Sequence, residues 1–276
     1  MKEEKSVAIV VCFMGRFPWF FNYFLHSCGY NLSIDFFIIS DQASPPSAPS
    51  NVKFIYKTMD EINTIAQERL GFSVNIQNGY KLCDFKPAYG FLFPDIVEKY
   101  DFWGHSDVDI IFGEIRNFLD AKLLNSYDYI SIRDDYTTGC FSLYRNTEYV
   151  NTLFKKSKDY HLVFSSSEHY CFDECNFKHD LIADGTVSIF DIETEIESFT
   201  HIIKAEEAAN SIRVHFDFLL LEGLPGKIRF KEGKVVYRNK YEAILYHLYW
   251  LKRTYKPTTI KKISSNYRIS KTRIYS

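Results

Sequence analysis

The chain has 276 residues, with 33 Lys+Arg against 35 Asp+Glu and a formal net charge of -2. Hydrophobic residues at 46% and charged residues at 25% exclude collagen, coiled coil and wholesale disorder, and a chain this long buries a full core without disulfide staples. The departure from average is aromatic: 25 Phe and 20 Tyr each outnumber the 12 Gly.

Ser6 to Phe13 is a continuous apolar, β-branched run, as expected of a strand buried on both faces. Pro18 to Ser27 is aromatic and helix-length, and Ser33 to Ile39 and Val52 to Tyr56 are two further strands, separated by a Pro/Ser/Ala-rich loop. A helix opens at Thr58 to Glu61, capped by Thr58 or Asp60, and ends near Gly71. Another is expected from Pro87 to Tyr100, since proline suits a first helical turn. A short apolar strand ends at Gly104. Tyr127 to Arg133 and Cys140 to Arg145 read as strands, and Thr147 to Ser157 as a helix. Ile228 to Phe230 and Val235 to Tyr237 flank Glu232-Gly233 as a hairpin, and 241–253 (YEAILYHLYWLKR) reads as an amphipathic helix. The alternation argues for α/β architecture with a largely parallel sheet.

No run approaches the roughly 20 apolar residues of a membrane span, and no secretory h-region with a small-residue cleavage site is present, so a cytoplasmic, reducing location is expected. The six cysteines then act as small hydrophobes. Cys171 and Cys175 are the one pair worth testing as metal ligands, but no second Cys/His pair accompanies them at finger-like spacing, which argues against zinc.

The sharpest local feature is Trp103-Gly104-His105-Ser106-Asp107-Val108-Asp109. In an extended segment, side chains at i and i+2 share a side, so Asp107 and Asp109 can converge on one cation, and hard oxygen ligands suit Mg²⁺ or Mn²⁺. An Asp-x-Asp is also a common turn or cap pattern; the flanking aromatic strand and the glycines favour the metal site. Lys86 stands just before Pro87. A cation at a helix start opposes the macrodipole, which suggests an anionic ligand or a carboxylate partner such as Asp84.

Asp-Val-Asp after a strand, preceded by Lys81-Leu82-Cys83-Asp84-Phe85-Lys86-Pro87-Ala88-Tyr89-Gly90, resembles the type-A nucleotide-diphospho-sugar glycosyltransferases. More closely, it resembles a bacterial group of glycosyltransferase-like proteins associated with surface-polysaccharide synthesis, over about Val7 to Trp250. The resemblance implies a GT-A fold: Rossmann-like α/β, with a mixed, mostly parallel central sheet flanked by helices, a smaller acceptor-side lobe and a C-terminal helix. Residues 1–251 would form that single domain and 252–276 a basic tail. Asp107 and Asp109 would hold Mn²⁺ or Mg²⁺ bridging the donor diphosphate, with His247 as third ligand and Lys252 or Arg253 on the phosphates. His247 reads equally well as a boundary histidine of its helix. Phe13, Gly15 and Arg16 occupy the place where such enzymes cradle the nucleotide; Asp41 would meet the base or ribose, or simply form a turn. Asp173 or Glu174 is the candidate catalytic base on the acceptor hydroxyl if the transfer inverts.

The expected activity is transfer of a sugar from a nucleotide-diphosphate donor, a uridine one above all, to a glycan or lipid-linked glycan of lipopolysaccharide or capsule. Two alternatives stay open: a phosphohydrolase using Asp107 and Asp109, and a non-catalytic nucleotide- or sugar-binding module of the same fold. Tyr136, Tyr170 and Phe172 lie beside polar clusters where sugar rings can stack. The tail carries Lys252, Arg253, Lys256, Lys261, Lys262, Arg268, Lys271 and Arg273 and no acid; removing these eight leaves 25 basic against 35 acidic residues, a charge of -10. Such a tail suits anionic membrane contact or a disordered, solvated end, and no motif supports nucleic-acid binding.

Overall fold

The computed structural model describes residues 4–183, 185–258 and 262–275. The strands are β1 (Val7–Cys12), β2 (Ile34–Ser40), β3 (Val52–Tyr56), β4 (Phe102–Ser106), β5 (Ile110–Phe112), β6 (Tyr129–Ser131), β7 (Phe141–Arg145), β8 (Val214–Phe216), β9 (Leu220–Leu221), β10 (Ile228–Lys231), β11 (Lys234–Tyr237), β12 (Tyr241–Ala243), β13 (Leu245–His247), β14 (Asn266–Ile269) and β15 (Ile274–Tyr275). Among the described residues the three longest α-helices are α1 (Phe21–Cys28), α2 (Met59–Leu70) and α3 (Phe199–Ala208).

The apolar runs at the N-terminal end become the middle of a seven-stranded sheet, ordered β3-β2-β1-β4-β7-β6-β8. The first four strands run parallel, β7 is antiparallel to both β4 and β6, and β8 returns parallel to β6. The class is therefore mixed α/β with a mostly parallel central sheet flanked by helices, as expected. β1 has β2 on one side and β4 on the other, so the sheet changes direction of growth at β1/β4. A crevice beyond the carboxyl ends of strands at such a switch point is where ligands bind in open α/β sheets.

One face of the sheet packs on α1 through Phe21, Phe24 and Leu25; the other buries Tyr89, Phe164, Phe172 and Phe199. α2 is closed by a capping box between Thr58 and Glu61 and by left-handed Gly71. Trp103 stacks on Tyr144 with ring centroids 4.0 Å apart, and a Cβ on Gly90 would overlap the Trp103 indole. The glycine of one sequence block thus makes room for the tryptophan of the other.

Four local expectations are corrected. The segment 241–253 is not a helix: it forms β12 and β13, and only Leu251–Thr254 is helical. Its apolar residues are claimed from both sides, Leu245 and Tyr246 pairing with Phe112 and Ile111 on β5 and with Leu220 and Leu221 on β9. In place of a helix from Pro87 to Tyr100, a 3-10 helix Lys81–Ala88 precedes the short helices Tyr89–Leu92 and Pro94–Val97, so Lys86 lies in a last turn rather than a first. The helix expected over Thr147 to Ser157 is split into Glu148–Asn151 and a 3-10 turn Leu153–Lys156. β4 continues past Gly104 to Ser106, so the two aspartates follow it in a bend instead of an extended segment.

Within the basic tail, β14 and β15 complete a five-stranded antiparallel sheet with β10, β11 and β12. Lys261 lies outside the described residues. Among the described residues no helix is long and apolar enough to cross a membrane.

Candidate active site

Asp107 follows β4 directly, and its backbone N–H donates to the Cys140 carbonyl at the start of β7. Two residues on, the Asp109 carbonyl accepts from Leu248 N–H, and Ile110 pairs with His247 across β5 and β13. The β5 end is fixed from the other side by α1: Ser27 Oγ accepts from Phe112 N–H, while the Asn31 side chain spans the Gly113 carbonyl and Ile115 N–H. Residues far apart in sequence are in this way locked in register around one point.

Ligand atoms of Asp107, Asp109 and His247 all lie within 4.8 Å of one another. His247 Nε2 is 3.4 Å from Asp109 Oδ2, and Lys252 Nζ donates to that same oxygen at 2.6 Å. The other ring nitrogen, Nδ1, faces Glu222 Oε1 at 3.4 Å, which orients Nε2 toward the aspartates. Glu222 is in turn paired with Arg133, itself held by Asp135. Burial alone would raise the Asp109 carboxyl, but His247 and Lys252 hold it well below its ordinary range. Burial would likewise lower His247, and Asp109 overrides it, pushing the imidazole up to about 10. Two carboxylates and an imidazole form a donor set that suits Mn²⁺ or Mg²⁺, and the two cationic side chains converging on Asp109 mark a point where positive charge is favoured.

Lys86 is buried and bonds three partners: Asp107 Oδ1 at 2.7 Å, the Gly139 carbonyl at 2.9 Å and Asp173 Oδ2 at 3.4 Å. Burial would lower its ammonium, yet Asp107 and its neighbours hold it well above its ordinary value. Asp84, the partner expected from sequence, instead pairs with Lys81, both side chains fully buried. A Cβ on Gly139 would overlap Asp173 Oδ2, so only glycine lets β7 begin this close to the carboxylate. Glu174 accepts from Gly139 N–H through Oε1 (2.8 Å) and faces His179 Nε2 through Oε2 (2.9 Å). Burial pushes Asp173 up to about 7, helped by Glu174; burial acts on Glu174 too, but His179 and Gly139 N–H draw it down to about 2.

These groups line one cleft of about 550 Å³, which takes in Lys86, Asp107, Asp109, Asp173, Glu174 and His247. A model described as a family of unknown function, DUF6625, matches residues 9–276. The chain belongs to the DUF6625 family. No curated protein matches it significantly. Among solved structures, it is similar to the galactosyltransferase LgtC in complex with donor and acceptor sugar analogs, at 10% identity and a TM-score of 0.35, covering 78% of this chain and 75% of that one. It is also similar to mouse xyloside xylosyltransferase 1, apo form, at 10% identity and a TM-score of 0.41, covering 87% of this chain and 97% of that one. At this distance no residue role passes from them to the DUF6625 chain.

Of the residues singled out in sequence, Lys86, Asp107, Asp109, Asp173, Glu174, His247 and Lys252 meet in the cleft. Phe13, Gly15, Arg16 and Asp41 are not among its lining residues. They sit at the carboxyl ends of β1 and β2, where Gly15 N–H donates to Asp41 Oδ1 at 2.8 Å and Phe13 stacks against Phe17. Gln42, then Gly15, hold the Asp41 carboxyl below its ordinary value. Tyr170 and Phe172 are buried and do not line the cleft, whereas Tyr136 lines it with most of its ring buried beneath the Arg133 guanidinium. The exposed aromatics at the cleft are Tyr80 (65%), Phe177 (55%), Trp250 (49%) and Tyr249 (38%). Sequence reasoning missed these four, together with Glu222 and Arg133; all four aromatics lie in turns, where spacing carries no periodic signal.

Proposed function

We propose that the chain is a metal-dependent glycosyltransferase of the GT-A type, using a nucleotide-diphosphate sugar, a uridine one above all, and a glycan or lipid-linked glycan acceptor of a bacterial surface polysaccharide. One observation carries the reading: Asp107, Asp109 and His247 converge beyond the carboxyl end of β4, beside the switch point of the sheet, with Lys252 and Lys86 in the same cleft. A divalent ion held by Asp107, Asp109 and His247 would neutralise charge on the departing diphosphate. Lys252 is placed to exchange Asp109 for a phosphate oxygen. Lys86 keeps Asp107 oriented from behind, and the Gly15–Asp41 pair lies where the nucleoside would extend.

Asp173 suits the base role better than Glu174, because both Glu174 oxygens are engaged while Asp173 bears on Lys86 at 3.4 Å. In a direct displacement the acceptor oxygen bonds to the sugar C1 as the C1–O bond to the diphosphate breaks. The hydroxyl proton passes to Asp173, and the bonding pair leaves with the nucleotide diphosphate. Tyr80, Phe177, Tyr249 and Trp250 offer stacking faces around the mouth.

The reading extends to peripheral contact with an anionic membrane through the sheet of the basic tail, where Arg229 stands directly opposite Arg268. Calorimetric titration of nucleotide diphosphates with and without Mn²⁺, followed by donor hydrolysis and transfer, tests the enzyme reading. Mn²⁺-dependent binding and turnover support it. Release of inorganic phosphate without acceptor would make the Asp pair a phosphohydrolase site, and binding without turnover a non-catalytic module.

A further inference from the structure

A second donor cluster lies in the same cleft, between the short helices Tyr160–Ser165 and His179–Ile182, with His179 opening the second, and the proposed transfer does not use its thiol. Cys171 Sγ is 3.4 Å from Glu174 Oε2 and 3.8 Å from His179 Nε2, and the carboxylate and imidazole atoms are 2.9 Å apart. A tetrahedral zinc ion with bonds of about 2.3 Å to sulfur and about 2.0 Å to nitrogen and oxygen requires donor separations of about 3.5, 3.5 and 3.3 Å. Each observed edge agrees to within about 0.4 Å, the motion of a side-chain rotamer.

The backbone is bent to produce this arrangement. Cys171 has φ +52°, and Asn176 and Phe177 have φ +51° and +60°, three left-handed non-glycine residues within seven positions. Asn176 N–H and Glu174 N–H both donate to the Cys171 carbonyl, and the Asn176 side chain donates to the Tyr170 carbonyl, so the loop curls around residue 171. Such conformations cost free energy and persist where the surroundings over-determine them, commonly at functional sites. Glu174 Oε1 remains on Gly139 N–H, an outer contact that orients the carboxylate.

We infer that Cys171, Glu174 and His179 bind a thiophilic divalent cation of the zinc class, with its fourth position open to the cleft. Thiolate, carboxylate and imidazole form a softer set than Asp107, Asp109 and His247, so the two sites sort different ions. Binding displaces the Cys171 thiol proton to solvent and involves no redox step. Cys175, the partner suggested by sequence spacing, is not in the set. The ion clamps the loop of Asp173 to Gly139, whose carbonyl holds Lys86. This inference stands apart from the transferase reading.

The test is titration of the metal-free full chain with Co²⁺, followed by absorption. A thiolate-to-cobalt charge-transfer band in the near ultraviolet, with tetrahedral d–d bands, is expected; Zn²⁺ should bleach both. The Asp107, Asp109 and His247 set contains no sulfur and cannot give the first band, so D109A keeps it. C171S, checked for fold by circular dichroism, loses it, and H179A weakens Co²⁺ affinity by at least about tenfold. No thiolate band in the wild-type chain at saturating Co²⁺ overturns the site, as does a band that survives in C171S. Should C171S fail to fold, unchanged d–d bands and Co²⁺ affinity in H179A overturn it as well.

Discussion

Lys86 Nζ and Asp107 Oδ1 lie 2.7 Å apart, joining the two sequence blocks 81–90 and 103–109. The contact spans the core: Lys86 lies in the last turn of the 3-10 helix Lys81–Ala88, and Asp107 follows the strand whose Trp103 packs on Gly90. The lysine also bears on Asp173, so one buried cation bridges the carboxylates of Asp107 and Asp173.

Replacing Lys86 by Met keeps the bulk of the chain and removes that cation. Lys86 and Asp173 are both buried, and losing one partner of such a pair costs about 3 kcal/mol. Urea unfolding of K86M should show this loss with an unchanged slope, and transfer should fall with it. Wild-type stability in K86M would mean that the lysine is a spectator.

Asp109→Asn should abolish Mn²⁺-dependent binding of a nucleotide diphosphate while leaving the folded state intact by circular dichroism. Glu222→Gln is the subtler variant, since Glu222 touches the metal-side cluster only through His247 Nδ1. Partners of this kind are worth about 10- to 100-fold in metal affinity. Calorimetry showing equal Mn²⁺ affinity for E222Q and wild type would remove His247 from the ligand set.

How far the sequence carried depends on what each residue's neighbours are. The buried runs Val7–Cys12 and Ile34–Ser40 are apolar whichever neighbour they meet, so the parallel sheet was legible. The segment around Leu245 and Tyr246 fits helical spacing as well as strand pairing, and only the partners on β5 and β9 decide between them. That pairing is what brings His247 to Asp109, so the Asp107, Asp109 and His247 cluster was legible as residue types but not as a place. For Lys86, a nearby carboxylate was foreseeable; which one depended on Asp84 being taken by Lys81. The Cys171, Glu174 and His179 set was hidden because its geometry requires left-handed backbone at Cys171, which spacing does not reveal.

Acid stability should be traceable to Asp84. Its carboxylate accepts from Tyr170 and Phe172 N–H and pairs with Lys81 Nζ at 2.9 Å and His169 Nδ1 at 3.1 Å. Burial would raise this carboxyl, but His169 and Lys81 hold it below its ordinary value. A depressed acid binds its proton more tightly in the unfolded chain. Its stabilisation is therefore fully present above the unfolded pKa of about 3.9 and is lost as pH falls through the folded value. Asp84→Asn should lower stability at pH 7 by about 3 to 5 kcal/mol, since Lys81 is left buried without its partner. The gap to wild type should narrow on acidification; denaturant melts at pH 7 and pH 3 measure it, and a constant gap would contradict the assignment.

The five-stranded sheet carries the last prediction. Arg229 and Arg268 are directly opposed on β10 and β14, and a groove of about 790 Å³ beside them is lined by Lys227, Arg238 and Lys271 as well. Like charges directly opposed destabilise a sheet, so an anionic partner would relieve the pair. Alternate residues Ile228, Phe230, Tyr267 and Ile269 face inward and are buried, leaving the basic face outward. Each cation near an anionic bilayer contributes about 1 kcal/mol, so R229E/R268E should bind anionic vesicles at least about 30-fold more weakly than wild type. Binding should also fall as salt shortens the Debye length, whereas vesicles of neutral lipid should capture neither protein. Equal, salt-insensitive sedimentation of both proteins with anionic vesicles would count against this face as the membrane contact.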